Sequence, residues 1–170
     1  MRNDSLTNAV DAEAFRQTMS LFPTGVSVVS AATEGEPRGF TANSLVSVSL
    51  DPMLVCWSIQ NTSSQFALYS EARDFAVSIL GDGQREVAAR YARPGHSEMR
   101  LQDFVWTESG LPVIAGAIAT IHCRQWSLYP AGDHTMIFGE VVGVEANNGA
   151  APLTYFRGCL LYTSPSPRDS

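Results

Sequence analysis

Lysine is missing from this sequence: all eleven basic residues among its 170 are arginines. Schiff-base chemistry with pyridoxal phosphate or a carbonyl substrate needs a lysine amine, so that class of mechanism is excluded. The P-loop that holds nucleotide phosphates also needs a lysine. Any anionic ligand must therefore be held by backbone amides, hydroxyl groups, helix N-termini or arginine.

Cysteines and long apolar segments are also scarce. The three cysteines form no C-x-x-C motif, and Cys56 and Cys123 lie in apolar strand patterns, which predicts buried, inert thiols in a reducing compartment. No apolar run approaches the roughly 20 residues that cross a bilayer. The first eight residues lack the apolar stretch of a secretory signal. We therefore expect a cytoplasmic protein with no membrane association.

The charge balance is acidic, with a formal net charge of −6 at pH 7. Nucleic acids and anionic membrane surfaces are bound through clustered basic residues, so both partners are disfavoured. A hydrophobic fraction of 45% with 16% charged residues is typical of a soluble globular protein. The length predicts one domain with a sizeable core.

Motifs for hydrolysis, metal binding and dinucleotide binding are incomplete. The G-x-S-x-G elbow of serine hydrolases is absent from the sequence. His122 and Cys123 are neighbours on a predicted strand and point to opposite faces, so we expect no metal site. The segment Gly81-Asp-Gly-Gln-Arg-Glu lacks the third glycine of a Rossmann fingerprint, and we interpret it as a turn in which Asp82 caps a helix.

Short β-type segments separated by turn residues make up most of the chain. They predict strands over 26–32, 38–43, 53–59, 75–80, 117–129, 134–144 and from 153 to 157. Helices are predicted over 11–22, from 62 or 63 to 72, and over 84–92. Without a βαβ rhythm, this pattern indicates a mainly β protein: an antiparallel barrel with a few short peripheral helices.

The last twelve residues, 159–170, depart from that pattern. They resemble a translated transposon-end sequencing adapter, and we interpret them as a non-native tail that is unpacked or misplaced. The alternative is a genuine Pro/Ser-rich disordered tail. The domain itself is predicted to span 11–158.

Small polar residues crowd the ends of two predicted strands between Gly39 and Ile59. They are Thr41, Asn43, Ser44, Ser47 and Ser49. Ordinary strands alternate polar residues with β-branched or aromatic ones. Crowded serines and threonines instead leave the backbone amides open to a large flat ligand. Taken alone, the segment also fits a solvent-facing edge of an all-β domain.

The same segment resembles the flavin reductase-like family, whose pattern reads G-x-T-A-S-S-F-x-S-V-S-L-D-P-P-L. Gly132-Asp-His-Thr-Met-Ile-Phe-Gly-Glu matches the family's G-D-H-T-x-x-x-G segment, and Tyr155-Phe-Arg-Gly matches its closing Y-F-R-G. The resemblance extends from Phe15 to Gly158. It implies a split β-barrel with Greek-key features that binds FMN and forms a homodimer.

The resemblance also implies positions for the ligands. The flavin ring would contact two runs of residues: Thr41, Ala42, Asn43 and Ser44, then Ser47, Val48, Ser49 and Leu50. Its phosphate would lie at the next helix start, near Asn61, Thr62 and Ser64. His134 would lie close to flavin and nicotinamide, with Arg157 the nearest cation. From its residues alone, His134 could equally be an ordinary turn histidine.

The sequence departs from the family at several of these places. Leu45 replaces the usual Phe, Ser78 replaces the usual Asn, and the basic residue and the threonine expected near Ser64 and Gln65 are missing. The phosphate contacts are therefore less firmly predicted than the ring contacts.

The function implied is an NAD(P)H:flavin oxidoreductase that supplies reduced FMN or FAD to a partner monooxygenase acting on aromatic compounds. Hydride transfer between two cofactors needs no protein nucleophile, which fits the missing lysine and catalytic triad. A non-enzymatic FMN-binding or electron-carrying protein is the alternative. A pyridoxamine-phosphate-oxidase-like barrel is disfavoured by the lack of lysine. The choices between FMN and FAD, and between NADH and NADPH, stay open.

Overall fold

The computed structural model describes residues 11–147 and 149–162. Its helices are α1 (Ala12–Met19), α2 (Phe66–Glu71) and α3 (Arg85–Tyr91), the last preceded by a 3₁₀ turn at Asp82–Gln84. Its strands are β1 (Thr24–Gly25), β2 (Ser27–Thr33), β3 (Glu36–Ala42), β4 (Val46–Leu50), β5 (Met53–Gln60), β6 (Asp74–Ile79), β7 (Phe104–Trp106), β8 (Pro112–Ile114), β9 (Ala119–Ala131), β10 (His134–Ala146), β11 (Leu153–Phe156) and β12 (Cys159–Tyr162).

A seven-stranded antiparallel sheet forms the body of the fold, in the order β3-β2-β6-β9-β10-β5-β4. A smaller sheet, β1-β11-β12, and the β7-β8 hairpin complete the described strands. The prediction of a mainly β protein with a few short helices is confirmed. Because β3 and β4 are the two edges of the large sheet, the segment between them, 43–45, crosses from one edge to the other.

Two hairpins have two-residue turns. Glu34 and Gly35 both have positive φ, 52° and 81°, as a two-residue turn between twisted strands requires. In the β9–β10 hairpin, Ala131 already pairs with His134, so the turn is Gly132-Asp133. The turn predicted over 130–133 is thus too long, because strand pairing continues through Pro130 and Ala131.

Two helix starts differ from their predictions. Helix α2 begins at Phe66, not after Thr62 or Ser63, because the preceding residues form a turn in which the Ser63 amide donates to the Gln60 carbonyl at 2.9 Å. At the start of α3, the Asp82 side chain makes no capping hydrogen bond. The Gln84 side chain instead accepts from the Gly81 amide at 3.0 Å.

Two clusters of buried side chains form the core. The first packs α2 against the sheet, where the Trp57 and Tyr69 rings meet edge to face with centroids 5.2 Å apart. The Tyr69 hydroxyl donates to the Val29 carbonyl at 2.9 Å, which satisfies its polar end. The second cluster lies under α3 and includes Tyr91 and Phe104. Each such side chain contributes about 1.5–3 kcal/mol through burial.

For residues 159–162, the structure corrects the expectation that the tail is unpacked. Cys159–Tyr162 pairs with β11 along its length, from Phe156 opposite Cys159 to Leu153 opposite Tyr162. The physical reason is that Leu160 is apolar and packs against the second core cluster. Residues 163–170 lie outside the described part of the chain. The non-native origin of 159–170 stays a prediction, because strand pairing does not test it.

Candidate functional site

A cavity of about 900 Å³ lies between α1 and the start of β4. Asn43 and Ser44 of the predicted flavin segment line it, together with Leu45 and Val46. Ligand sites commonly have volumes of about 300–1,000 Å³ and mostly apolar walls with a few polar groups. The cavity therefore has the size and character to take a flat aromatic ligand. We call it the first cavity.

The four residues of the first predicted run divide between this cavity and the interior. Ser44 lies at the cavity wall, where its Oγ accepts a hydrogen bond from the Ser58 amide at 3.0 Å. Asn43 is exposed and also lines the cavity. The Thr41 hydroxyl instead donates to the Ala88 carbonyl of α3 at 2.8 Å. Ala42 is buried in the first core cluster. Only Asn43 and Ser44 thus present side chains to the cavity.

The second predicted run, Ser47 to Leu50, lies on β4. This is an edge strand: within the described chain it pairs with β5 alone. The register shifts between Ser47 and Ser49, and Val48 has no partner in the pairing. Backbone groups on the outer edge of such a strand are free to bind a ligand or another chain. The outer edge of β4 therefore leaves backbone amides without a strand partner in the described chain, as the predicted ring contacts require.

The predicted phosphate segment and His134 are brought together by the pairing of β5 with β10. His134 lies opposite Gln60, and the Asn61 amide donates to the Asp133 carbonyl at 2.9 Å. The Asn61 side chain accepts from the Thr135 hydroxyl at 2.7 Å and donates to the Gly132 carbonyl at 3.3 Å. Asn61 therefore links the end of β5 to the β9–β10 turn through three hydrogen bonds.

Asp133 fixes the ring of His134. The His134 Nδ1 and an Asp133 carboxylate oxygen are 2.7 Å apart. That hydrogen bond, and next the charge of the imidazole, lower the pKa of Asp133, with a further contribution from Arg16. An ionised carboxylate can only accept, so Nδ1 carries a proton and Nε2 is left for a ligand.

Strand β5 connects these parts. Ser47 pairs with Val55, and His134 pairs with Gln60 at the other end of the same strand. At about 3.3 Å per residue, the two positions are separated by about 16 Å along β5.

Three other predicted residues have different surroundings. Arg157 has a φ of +51°; its amide donates to the Ser20 carbonyl at 2.9 Å, and its guanidinium lies 5.3 Å from the Phe156 ring centroid. It is therefore next to the C-terminal end of α1, which borders the first cavity. Thr62 is exposed. Ser64 lines a different cavity of about 550 Å³, which we call the second cavity.

Several cavity residues were missed by the sequence reasoning. Phe15, Arg16, Met19 and Phe22 all line the first cavity from α1 and the residues just after it. Their helical spacing was visible, but spacing alone does not say whether an apolar face meets the core or a cavity. Thr24 is also missed. It lines the cavity, and its Oγ1 is buried without a hydrogen-bond partner in the described part of the chain.

The described residues contain neither a metal-ligand cluster nor a membrane-spanning helix. Among residues 11–147 and 149–162, no three His, Cys, Asp or Glu side chains are grouped as metal ligands would be. Neither does any helix in these residues have the length and apolar character to cross a membrane.

Burial raises the pKa of the Cys123 thiol to about 12, and Cys56 is also buried with a raised pKa.

The antiparallel β fold and the volume of the first cavity are compatible with a site for a flat aromatic cofactor. The flavin reductase-like domain model matches residues 19–163, and the chain belongs to this family. It is 41% identical over 152 residues to the FMN reductase (NADH) SmoA of Agrobacterium fabrum, covering 88% of this chain and 85% of that protein. Over 145 residues it is 35% identical to the reductase component of 4-hydroxyphenylacetate 3-monooxygenase from Thermus thermophilus, covering 85% of this chain and 92% of the relative.

Solved structures agree with this assignment. The NADH:FAD oxidoreductase of Streptomyces globisporus, solved with NAD and FAD fragments, superposes with a TM-score of 0.86 and 34% identity. The match covers 94% of this chain and 99% of that one. The comparisons confirm the predicted split-barrel fold and the NAD(P)H-dependent flavin reductase, with flavin and nicotinamide as its cofactors, and favour it over the non-enzymatic carrier. The individual site residues stay predictions.

Proposed function

We propose that this protein transfers hydride from NADH or NADPH to FMN or FAD and releases the reduced flavin to a partner monooxygenase. The observation that carries the proposal is the first cavity, because Asn43 and Ser44 of the predicted flavin segment line it. The relatives support the partner class, since one is named as a monooxygenase reductase component. We also expect the protein to act in the cytoplasm.

The flavin ring binds along the segment from Asn43 to Leu50 in this proposal, with its phosphate toward Asn61, Thr62 and Ser64. Thr41 and Ala42 support this segment from behind, because their side chains are engaged with α3 and the core. The exposed edge of β4 offers backbone amides and carbonyls to the polar rim of the ring. The apolar residues of α1 cover a ring face.

When bound together, nicotinamide and flavin supply the hydride donor and acceptor. The protein's part is to hold the two rings in a reactive orientation. We infer that His134, whose Nδ1 is hydrogen-bonded to Asp133, helps to position the nicotinamide. Asn61 keeps the His134 turn and the phosphate segment at a fixed spacing.

Release of reduced flavin fits the composition of the first cavity. Arg16 is the one charged side chain among the described residues that line it, and the polar groups are hydroxyls and an amide. Charge-assisted hydrogen bonds are roughly twice as strong as neutral ones, so a site with few of them holds an anionic ligand moderately. Moderate affinity suits a flavin that must leave for another enzyme.

The deciding experiment is stopped-flow measurement of flavin reduction with NADH and NADPH in separate runs, for FMN and for FAD. We expect a saturable loss of oxidised-flavin absorbance with at least one nucleotide. A parallel titration of the protein with each flavin gives the affinities. Flavin binding without reduction by either nucleotide would contradict the proposal and support an electron carrier.

We further infer that two copies of the chain associate. Exposed apolar side chains on β4 support this inference, since Leu50 is 86% exposed and Val46 and Val48 are about half exposed. Trp126 and Tyr129 on β9 add further exposed aromatic surface. Large apolar patches on soluble proteins commonly mark interfaces.

A further inference from the structure

We propose that Thr135 is a positioning residue for hydride transfer, because its hydroxyl holds the turn that carries His134. This inference rests on the proposed function, in which His134 helps to position the nicotinamide. Thr135 follows His134 directly in β10, and its hydroxyl donates to the side-chain oxygen of Asn61 at 2.7 Å. Thr135 lines neither cavity, so its effect on the reaction would pass through the residues that it holds.

His134 and Thr135 point to opposite faces of the same strand, because successive side chains alternate across a β-strand. Thr135 is 6% exposed, whereas the His134 side chain is 43% exposed. The buried residue is therefore the immediate neighbour of the residue that would face the ligands. Since the two are joined by a peptide bond, any contact that fixes Thr135 also limits how far His134 can move.

Asn61 holds the chain on both sides of His134. Its backbone amide donates to the Asp133 carbonyl at 2.9 Å, and its side-chain nitrogen donates to the Gly132 carbonyl at 3.3 Å. Its side-chain oxygen accepts from Thr135, the residue after His134. Three hydrogen bonds from one residue thus bracket the histidine in the sequence.

The Thr135 hydroxyl sets the direction in which the Asn61 side-chain amide faces. A carbonyl can only accept, so the amide nitrogen faces Gly132 and the amide oxygen faces Thr135. Asn61 is exposed, and water competes for exposed amides. Removal of the buried hydroxyl would therefore leave the amide free to turn and would weaken its bond to Gly132 as well.

The pairing of strands does not replace these bonds. His134 pairs with Gln60, the last residue of β5, so the ladder between β5 and β10 ends at the histidine. Beyond that point, Asn61 continues the connection from β5 to the turn. Hydride transfer needs reacting atoms about 3–3.5 Å apart, and a misplacement of about 1 Å can cost about 100-fold in rate. A slight release of the turn is enough to slow the reaction.

The test uses three variants of this contact. Thr135→Val removes the hydroxyl and nearly keeps the shape of the buried side chain, whereas Thr135→Ser keeps the hydroxyl. Asn61→Ala removes the acceptor at an exposed position, so it tests the same bond without a change in the interior. Thr120→Val is the matched control, because Thr120 is also 6% exposed, lies on β9 and lines neither cavity. Circular dichroism checks the fold of each variant.

Stopped-flow reduction gives the limiting rate constant and the nucleotide concentration at half-saturation. Fluorescence titration gives the dissociation constants of FMN and of riboflavin, which lacks the phosphate. Thr135→Val is also combined with His134→Ala in a double-mutant cycle, which measures whether the two residues act through one another. A residue that merely stabilises the fold would slow reduction by the same factor with or without the histidine.

We expect Thr135→Val and Asn61→Ala each to lower the limiting rate constant by about 10-fold, while half-saturation changes by less than about twofold. Thr135→Ser and Thr120→Val should stay within about twofold of the wild type, and Thr135→Val should slow the His134→Ala variant by less than about twofold. FMN and riboflavin affinities should change little.

Wild-type rates in both Thr135→Val and Asn61→Ala would overturn the proposal. So would a Thr135→Ser variant as slow as Thr135→Val, or a loss of rate that persists in full in the His134→Ala background. Weaker binding of FMN with unchanged binding of riboflavin would also overturn it, because the contact would then serve the phosphate. A wild-type protein that binds flavin but reduces it with neither nucleotide would instead contradict the proposed function itself.

Discussion

His134 is held by a side chain and by the backbone at once. Asp133 fixes its Nδ1, and the pairing of β10 with β5 fixes its position opposite Gln60. We expect His134→Ala to slow flavin reduction by about 10- to 100-fold, because misplaced reacting groups lose rates of that order. Flavin affinity should stay within twofold. Stopped-flow reduction measures the first and fluorescence titration the second.

The control for this substitution is His96→Ala, since His96 is exposed and lines neither cavity. Its reduction rate should equal that of the wild type. A His134→Ala variant that reduces flavin at the wild-type rate would show that His134 lies outside the reactive site.

Gly139 is required by packing. A Cβ at this position would lie 2.5 Å from Cζ of Phe75 and 2.9 Å from Cβ of Cys123, both buried in the first core cluster. We expect Gly139→Ala to lower the free energy of unfolding by about 1–3 kcal/mol, as overpacking does. Urea denaturation followed by circular dichroism measures the change. Gly143→Ala is the control on the same strand, because its Cβ would meet His122 at 3.6 Å, an ordinary contact.

At the scale of elements, Asp103 connects α3 to the loop that follows it. Its carboxylate accepts from the Tyr91 hydroxyl at 2.6 Å and from the Arg90 guanidinium, both on α3. Burial acts to raise the pKa of Asp103, but the hydrogen bonds from Arg90 and Tyr91 outweigh it and lower the pKa. A carboxylate with a lowered folded pKa stabilises the fold fully above the unfolded value of about 3.9. That stabilisation is lost as the pH falls through the folded value.

Asp103→Ala should therefore cost about 3 kcal/mol of unfolding free energy at pH 7, because it leaves Arg90 without its buried partner. The wild type should lose part of its stability as the pH falls below about 4, and the variant should lose less over that range. Urea denaturation at a series of pH values tests both expectations. Glu108→Gln, at an exposed position, should follow the wild-type profile. An identical pH profile for Asp103→Ala would contradict this role of the carboxylate.

The longer strands could be predicted from the sequence because their pattern is local. β5, β6 and β10 begin and end within one or two residues of the prediction, since β-branched and aromatic residues run between clear turn signals. The β7–β8 hairpin was missed because strands of three residues carry too little pattern. The start of α2 was missed because Thr62 and Ser63 look like N-caps, while the local amides bond in a turn.

The candidate site could be predicted only in part, because its assembly depends on contacts between distant residues. Thr135 and Asn61 are 74 positions apart, yet their hydrogen bond joins the His134 turn to the phosphate segment. The resemblance supplied both segments but not their contact. The contribution of α1 to the wall of the first cavity could not be predicted from the sequence for the same reason. Thr41 shows the reverse case: its place in the motif suggested a ligand contact, and its hydroxyl bonds to α3.

At the scale of the whole molecule, the exposed edge strand β4 is suited to association with a second copy of the chain. Val46, Val48 and Leu50 are all exposed on an edge that, in the described chain, has no strand beside it. Natural proteins commonly protect such an edge with charges, proline or a covering segment, and β4 contains no charged residue. The same edge borders the first cavity through Val46. Association there would both cover apolar surface and enclose the flavin site.

We therefore expect sedimentation velocity to show a dimer, and Val48→Asp to convert it to a monomer. In a two-fold interface each residue meets the same patch of its copy, so one substitution places two carboxylates in the buried region. A stable interface of this kind buries about 800 Å² from each partner, and a desolvated like-charge pair would cost several kcal/mol.

Leu101→Asp is the matched control, because Leu101 is equally apolar and 89% exposed but lies in the loop after α3. It should sediment as the wild type does. A wild-type monomer that holds flavin at full occupancy would contradict the proposed association.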